Sequence, residues 1–216
     1  MKTLVQGSRD PEVALLQRLL NLRLSPSPSL IEDNLFGPKT ATALKKFQSL
    51  NQLTQDGVAG SNSWRKLGLT TDINQPVIRF AQPTNMSCWS AAATMVMGNM
   101  SVGPGRAALS SSGGLKVEPE NIQTFARGLG LNMEYPLSWT VQGLAGLLRR
   151  GPLWVAGAQP SLHAVVIGAM WGDGTPNGTA MLIYDPWPPN VGGVYPAFYG
   201  ARLQQFPLMT MYVLHR

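Results

Sequence analysis

The chain has few of the side chains that cross-link small domains or hold metal ions. Its 216 residues include one cysteine, Cys88, and only two histidines, His163 and His215. A single cysteine excludes an intramolecular disulfide, and these three side chains cannot supply the four ligands of a structural zinc site. We therefore expect neither a disulfide framework nor a metal site, and we expect the protein to act without a cofactor.

Long apolar runs are lacking as well. No stretch of about 18 apolar residues occurs, so we expect no membrane insertion. The first ten residues, Met-Lys-Thr-Leu-Val-Gln-Gly-Ser-Arg-Asp, contain no apolar segment of the kind that Sec signal peptides need. If the protein is secreted, or delivered into another cell or its periplasm, we expect a route that is not encoded as a Sec signal.

Charge is sparse and mildly basic. Charged residues make up 13% of the chain, the net charge is +6, and most lysines lie within the first 66 residues. No basic run is interleaved with aromatic residues, so nucleic acid is not an expected partner. An anionic partner such as a cell wall fits the basicity, and so does an ordinary solvated surface. With 44% hydrophobic residues, the chain is long enough for one large globular domain or two small ones.

The first seventy residues predict three helices separated by turns. The first helix follows Asp10, with Pro11 in its first turn and apolar residues at helical spacing. The second is predicted over residues 38–50, and a third, shorter helix ends near Gly68. Residues 34–40 and 56–62 each look like a tight turn that leads into a helix, which indicates a small internal repeat.

A set of apolar, glycine and glutamine positions runs through this segment: Leu16, Gln17, Leu20, Phe36, Gly37, Pro38, Thr40, Ala43, Leu44, Phe47, Gln48, Leu53, Asp56, Gly57, Gly60, Trp64 and Leu67. The set resembles the three-helix peptidoglycan-binding domain found on many bacterial wall hydrolases. One departure is Asn34-Leu35, where that family usually has Asp-Gly, so one turn is expected to differ. The resemblance implies a domain over residues 1–70 that binds peptidoglycan, although such modules also serve as spacers or dock other partners.

A polar stretch that ends before Pro76 marks a domain boundary. We predict a linker over residues 71–78 and a second domain over residues 79–216. A short strand is predicted at residues 77–80. The Gly- and Ser-rich residues 98–114 are predicted to form a long surface loop, a candidate flap near the site described below.

Within the second domain, helical patterns come first and β-type runs follow. Helices are predicted after Ser87 and over residues 119–129 and 141–150. Short strands are predicted over residues 153–156, 163–167, 180–184 and 209–213. Helices followed by consecutive strands are typical of an α+β domain, here with an antiparallel sheet.

The single cysteine stands where an extended segment turns into a helix. Ser87 is a candidate N-cap, and good helix formers follow Cys88. A thiol in the first turn lies at the positive end of the helix dipole, beside unpaired backbone N–H groups, and both favour the thiolate. Gln82 can fold back to form an oxyanion hole with the N–H of Cys88. A lone cysteine in an apolar helix is nevertheless often just a small buried hydrophobe.

A histidine and an aspartate follow on consecutive predicted strands. His163 opens one strand after the polar loop 159–162, and Asp185 ends the next strand. If the two strands pair as a hairpin, both side chains lie at the same end of it. A carboxylate bound to one imidazole nitrogen leaves the other nitrogen to face a thiol. The second histidine, His215, is penultimate and expected to be frayed.

These residues occur in a recognisable order: Gln82, Cys88-Trp89-Ser-Ala-Ala, Gly151-Pro-Leu-Trp-Val155, His163-Ala-Val-Val166 and Asp185-Pro-Trp187. Over about residues 76–216 the chain resembles the papain-like cysteine peptidases of bacteria, in particular the bacteriocin-processing and secreted effector types. The resemblance implies a papain-like domain after the three-helix domain.

The same resemblance implies a role for each site residue. Cys88 is the nucleophile, His163 the general base and then the acid, and Asp185 the carboxylate that orients the imidazole. Gln82 is the oxyanion donor. Trp89 and Trp187 are candidate substrate-binding residues that shield the site, and plain core positions are the alternative.

Three functions stay open at this point. The first is a peptidase that cuts protein, as a secreted or injected bacterial effector or toxin with secretion machinery and an immunity protein as partners. The second is an amidase or endopeptidase that cuts the peptide stem of peptidoglycan. The binding module favours the second, whereas the Asp185-Pro-Trp187 and Gly151-to-Val155 segments favour the first. A third, a wall-binding adhesin with an inert Cys88, requires an accidental coincidence of all four site residues.

Overall fold

The computed structural model describes residues 1–98, 100–136, 139–157, 163–201 and 211–216. They form two compact units, Met1–Asp72 with Trp171–Ala180, and Ile73–Met170 with Met181–Arg216. The helices are α1 (Pro11–Arg23), α2 (Pro38–Leu50), α3 (Ser61–Leu67), α4 (Cys88–Val96), α5 (Pro119–Gly128) and α6 (Val141–Leu148). The strands are β1 (Thr71–Asn74), β2 (Asn132–Glu134), β3 (Leu153–Gly157), β4 (His163–Gly172), β5 (Thr179–Asp185), β6 (Gly193–Phe198) and β7 (Met211–His215). Within these ranges no helix is long and apolar enough to cross a membrane.

The first unit contains the three predicted helices. The carboxylate of Asp10 accepts the N–H of Glu12, and Pro11 opens α1 without losing a helical hydrogen bond. Helix α3 ends at Gly68, whose φ of 94° is a left-handed conformation that glycine adopts without a Cβ clash. Apolar faces of the helices meet in a core that includes Leu16, Leu20, Phe36, Leu44, Phe47, Trp64 and Leu67.

A buried glutamine on α1 fastens the turn that precedes α2. The side-chain nitrogen of Gln17 donates to Asp33 Oδ1 at 2.9 Å, to the Leu35 carbonyl at 3.0 Å and to Thr40 Oγ1 at 3.3 Å. Its oxygen accepts the backbone N–H of Asp33 at 3.1 Å. Because Gln17 is only 2% exposed, water does not reach its amide, and these bonds satisfy the amide instead.

A second buried glutamine repeats this arrangement before α3. The side-chain nitrogen of Gln48 donates to Asp56 Oδ1 at 2.8 Å, to the Val58 carbonyl at 3.0 Å and to Ser63 Oγ at 3.2 Å. Its oxygen accepts the N–H of Gly57 at 2.9 Å. The predicted internal repeat is therefore confirmed, with residues 33–40 equivalent to residues 56–63.

The repeat corrects one detail of the predicted turn. The residues equivalent to Asp56-Gly57 are Asp33-Asn34, whereas the sequence pattern was aligned on Asn34-Leu35. Asn34 has a φ of 63° and Gly57 a φ of 73°, so the asparagine adopts the left-handed conformation of the glycine. Asparagine tolerates that region better than other side chains with a Cβ. The turn is conserved in shape although its residue differs.

The second unit is built on a sheet with the strand order β2-β7-β3-β4-β5-β6, and β1 pairs with β4. The pairs β2–β7, β7–β3 and β3–β4 are antiparallel. Helices precede most of the strands, which confirms the predicted α+β class.

Both faces of this sheet are covered, as the alternation along β3 shows. Trp154 and Ala156 belong to the core that also contains residues of α4 and α5. Leu153 and Val155 belong to the core that also contains residues of α6. Successive residues of a strand point to opposite faces, so the continuous apolar run of β3 is what a centrally placed strand requires.

Three short strands were not predicted from the sequence. Strand β1 lies within the predicted linker 71–78: Thr71 and Ile73 are buried and alternate with exposed Asp72 and Asn74, a period of two that the polar composition conceals. Strand β2 has only three residues, and β6 contains Pro196, which is unusual inside a strand. Residues 77–80, predicted as a strand, do not form one.

The predicted fraying of His215 is wrong. His215 pairs with Asn132 at the end of β7, is 2% exposed, and places its Nε2 3.1 Å from Glu134 Oε1. Its position near the end of the sequence concealed this, because burial depends on pairing with β2. The predicted loop 159–162 and residues 209–210 of the last predicted strand lie outside the described residues.

The Gln48 side chain provides a test of how the first unit is held together. Gln48→Ala removes four hydrogen bonds and leaves the buried N–H of Gly57 without its partner, so we expect the local free energy of unfolding to fall by about 2–3 kcal/mol. Hydrogen exchange of the Gly57 and α3 amides in the full chain measures this change. Gln6→Ala, at an exposed glutamine, is the control and should leave exchange unchanged. Equal exchange in both variants would contradict the prediction.

Candidate active site

Helix α4 begins at Cys88, as predicted, but Ser87 does not cap it. The Ser87 hydroxyl accepts the N–H of Thr84 at 3.0 Å and donates to the Thr84 carbonyl, also at 3.0 Å. It forms no side-chain cap bond to α4. The hydroxyl therefore closes the preceding turn and leaves the first N–H groups of α4 beside the sulfur.

Cys88 opens onto a cleft of about 550 Å³ in the second unit. The residue is only 6% exposed, yet its side chain is part of the cleft wall. The cleft is lined by Asn85, Met86, Cys88, Trp89, Ser110, Gly114, Leu115, His163, Asp185 and Trp187. The sulfur is therefore accessible from one concave surface and otherwise packed in protein.

The structure brings His163 and Asp185 together next to the sulfur. Strands β4 and β5 are neighbours, and His163 begins the first while Asp185 ends the second. The Nε2 atom of His163 lies 2.7 Å from Asp185 Oδ1. The imidazole also hydrogen-bonds the Cys88 side chain. Because Nε2 is occupied by the carboxylate, Nδ1 is the ring nitrogen available to the sulfur.

This position makes the imidazole strongly basic. Burial opposes protonation of His163, but the hydrogen bonds of its ring to Asp185 and Cys88 and the charges of both groups outweigh it and raise the pKa of His163 from 6.5 to about 9. The ring is therefore an imidazolium at neutral pH, flanked on each side by a group that carries or can acquire negative charge.

Asp185 is held by two further donors besides the histidine. The backbone N–H of Trp187 donates to Oδ1 at 2.9 Å, and the hydroxyl of Tyr195 on β6 donates to Oδ2 at 2.9 Å. Burial alone would raise the pKa of Asp185, but the bonds from His163, Trp187 and Tyr195 lower it below 3.8. Tyr195 is the one member of this cluster that the sequence did not suggest, because its strand was not predicted.

Gln82 is placed differently from the other candidates. It is 0% exposed, and its side-chain nitrogen donates to the Thr84 carbonyl at 2.7 Å. Its backbone N–H and carbonyl bond Pro186 and Asn190, so it anchors the segment beyond Asp185. Gln82 is not among the described residues that line the cleft.

The two candidate tryptophans both line the cleft, but their environments differ. The indole N–H of Trp89 donates to the Gly113 carbonyl at 3.2 Å, and its ring meets Phe125 edge to face at 5.5 Å between centroids. Trp89 is therefore also a core residue, 5% exposed. Trp187 is 47% exposed and presents its indole to solvent and to the cleft.

The segment predicted to be a surface loop forms one wall of the cleft. The Ser90 hydroxyl donates to the Val102 carbonyl, and the Val102 N–H donates to Thr94 Oγ1 at 3.3 Å, so the segment is fastened to α4. Leu109 and Leu115 form an isolated antiparallel bridge. Ser110, Gly114 and Leu115 face the cleft, and Leu115 is buried. The described part of this segment is thus packed against the helix that carries Cys88.

An α+β unit in which a cysteine begins a helix and meets a histidine–aspartate pair on adjacent strands defines a thiol peptidase of the papain-like class. A family model described as papain-like cysteine protease AvrRpt2 matches residues 70–194. Since this match covers more than half of the chain, the protein belongs to that family and is a cysteine peptidase. A second model, described as a putative peptidoglycan binding domain, matches residues 9–67. Together the two matches confirm the fusion inferred from the sequence.

The ion pair predicts a characteristic pH dependence. The raised pKa of His163 stabilises the fold fully below its unfolded value of 6.5, and this contribution is lost as pH rises through about 9. The lowered pKa of Asp185 stabilises the fold above its unfolded value of 3.8, and this is lost as pH falls through the folded pKa. The difference in unfolding free energy between wild type and Asp185→Asn should therefore be largest between pH 3.8 and 6.5 and should shrink above pH 9.

Titration of the His163 ring by nuclear magnetic resonance checks the same pair directly. In wild type the midpoint should lie near 9, and Asp185→Asn should lower it towards 6.5, because the carboxylate no longer favours the imidazolium. The variant His163→Gln assigns the signal, since the chain has only two histidines. A midpoint that is the same in wild type and Asp185→Asn would contradict the pairing.

Proposed function

We propose that Cys88, His163 and Asp185 form a catalytic triad that hydrolyses amide bonds in a protein substrate. The observation that carries the proposal is the imidazole of His163, bonded on one side to Asp185 Oδ1 at 2.7 Å and on the other to the Cys88 side chain. The cleft in front of the sulfur supports it, because it leaves room for a polypeptide segment beside the three side chains.

In this mechanism the proton of the thiol resides on His163. The Cys88 thiolate attacks the carbonyl carbon and a tetrahedral intermediate forms, while the imidazolium, oriented by Asp185, stays close to the leaving nitrogen. Collapse of the intermediate breaks the C–N bond, and His163 gives its proton to the departing amine. The neutral imidazole then takes a proton from water, whose oxygen attacks the thioester and releases the acid and the thiolate.

The oxyanion requires two donors near the sulfur. The N–H of Cys88, at the first residue of α4, is our candidate for one of them. Gln82 remains our candidate for the second donor. Its amide nitrogen carries two N–H bonds, and within the described residues one of them donates to the Thr84 carbonyl. We propose that its side-chain N–H donates to the oxyanion when substrate is bound.

The family matches support both partners of the chain. The match to a papain-like cysteine protease favours a protein substrate. The match of residues 9–67 favours peptidoglycan as the partner of the first unit. That second match also keeps a wall hydrolase, which cuts the peptide stem with the same thiol, as the alternative function. Delivery as a secreted or injected bacterial effector or toxin, with an immunity protein as its inhibitor, stays part of the proposal and is supported by the resemblance to the secreted effector branch.

Alkylation tests the thiolate–imidazolium pair. At pH 6 a free thiol is less than about 1% ionised, so iodoacetamide should modify Cys88 at least about tenfold faster than it modifies N-acetylcysteine. Mass spectrometry gives the rate without ambiguity, because Cys88 is the only cysteine. His163→Ala should remove the advantage. A rate that does not depend on His163 would overturn the pairing.

Incubation with candidate substrates separates the possible functions. Wild type and Cys88→Ala are given purified peptidoglycan sacculi and a panel of folded and denatured proteins. We expect wild type alone to produce protein fragments, with a loss of at least about a thousandfold in Cys88→Ala because covalent catalysis is abolished. Soluble muropeptides from intact sacculi would instead support the wall hydrolase. Identical products from both proteins on every substrate would leave only the binding function.

A further inference from the structure

A groove in the first unit lies between the Pro- and Ser-rich segment after α1 and one face of α2. Its volume is about 460 Å³. One wall is formed by Leu24, Pro26, Pro28 and Leu30, and the other by residues of α2. The repeated turns and buried glutamines described above account for the fold of this unit, but they do not account for the segment Ser25-Pro-Ser-Pro-Ser29 or for the groove beside it.

The groove is preformed. Both backbone groups of Leu30 are bound by the side chain of Asn21, whose Nδ2 donates to the Leu30 carbonyl at 2.9 Å and whose Oδ1 accepts the Leu30 N–H at 2.8 Å. Pro26 and Pro28 restrict the backbone between these anchors and α1. Leu24 and Leu30, in the same wall, are buried. A ligand would therefore find an apolar surface that needs little reordering, which reduces the entropic cost of binding.

The opposite wall carries two lysines for which the described part of the chain provides no ion-pair partner. Lys39 and Lys46 both line the groove and are exposed. Neither forms an ion pair within the described residues, whereas neighbouring Lys45, which does not line the groove, interacts with the charge of Asp56. The groove thus combines an apolar wall with two cationic groups on the opposite side.

We propose that this groove binds the peptide stem of peptidoglycan, with Lys39 and Lys46 contacting its free carboxylates and the leucine and proline surface contacting its alanine methyl groups. The proposal rests on peptidoglycan binding by the first unit, and it names the residues and the part of the polymer that are recognised. Charge complementarity favours the stem over the glycan, because a neutral sugar chain offers the two ammonium groups no carboxylate. An extended peptide of a few residues also fits the volume.

Binding to sacculi tests the assignment in the full-length Cys88→Ala protein, so that the substrate is not consumed. The double variant Lys39→Gln/Lys46→Gln should bind at least about tenfold more weakly, because it loses both charged contacts to the stem carboxylates. The matched control is Lys45→Gln/Lys66→Gln, which removes the same net charge from outside the groove and should bind like the parent. Equal weakening of both doubles would mean general attraction to an anionic wall and would overturn the proposal.

Filling the groove tests shape independently of charge. Thr42 lines the groove and is exposed, so Thr42→Trp should occupy the space without disturbing the core, and Thr42→Ala is its control. We expect Thr42→Trp to abolish binding and Thr42→Ala to retain it. Unchanged amide exchange at Gly57 establishes that the unit is still folded. Full binding by Thr42→Trp would place the ligand elsewhere.

Competition with soluble fragments identifies the part that is bound. A free stem peptide should displace the protein from sacculi stripped of other wall polymers, whereas the same peptide with amidated carboxylates, and oligomers of N-acetylglucosamine, should not. Displacement by the sugar oligomers would overturn the assignment to the stem. If the parent protein does not bind sacculi at all, peptidoglycan binding by this unit fails, which is a different outcome from selective failure of the groove variants.

Discussion

The hydrogen bond between His163 Nε2 and Asp185 Oδ1 is the interaction on which the rest of the site depends. It fixes which ring nitrogen faces the sulfur, and with Cys88 it raises the pKa of the imidazole to about 9. The bond is itself held in place by donors from two other segments, the Trp187 backbone and the Tyr195 hydroxyl. An exposed ion pair contributes little to stability. The Asp185 carboxylate is already held by two other donors, so less conformational freedom is lost when it pairs with His163.

Buried side chains with several hydrogen-bond partners also organise the first unit. Gln17 and Gln48 each present an amide to an aspartate, a backbone carbonyl and a hydroxyl, and so fasten a turn to the helix before it. In both units a buried polar side chain with several partners, rather than additional apolar area, fixes the position of an irregular segment. A buried network of this kind is stabilising only when every member is satisfied.

The candidate site residues that the sequence alone pointed to most directly belong to residue types that are scarce in this chain. The only cysteine and one of two histidines drew attention at once, and Asp185 followed from its place at a strand end. Helices α2, α5 and α6 were predicted within two residues at each end because their apolar spacing is regular. In each of these cases the signal is local.

What the sequence did not reveal depends on contacts between distant segments. Tyr195 could not be assigned, because its role is defined by the carboxylate of Asp185 across two strands and its own strand contains a proline. The burial of His215 depends on a three-residue partner strand, and strand β1 is concealed by polar residues on its exposed face. Gln82 was assigned from its spacing to Cys88 and from the family resemblance, and neither indicates that its amide would bond the Thr84 carbonyl.

The indole of Trp154 donates to the carbonyl of Trp89, one residue after Cys88, at 3.0 Å. Trp154 lies on β3, and β3 is paired residue by residue with the strand that begins at His163. The first turn of α4, which carries Cys88, and the strand that carries His163 are therefore both hydrogen-bonded to β3. Trp154, which is not among the described residues that line the cleft, thereby helps to hold Cys88 and His163 in place.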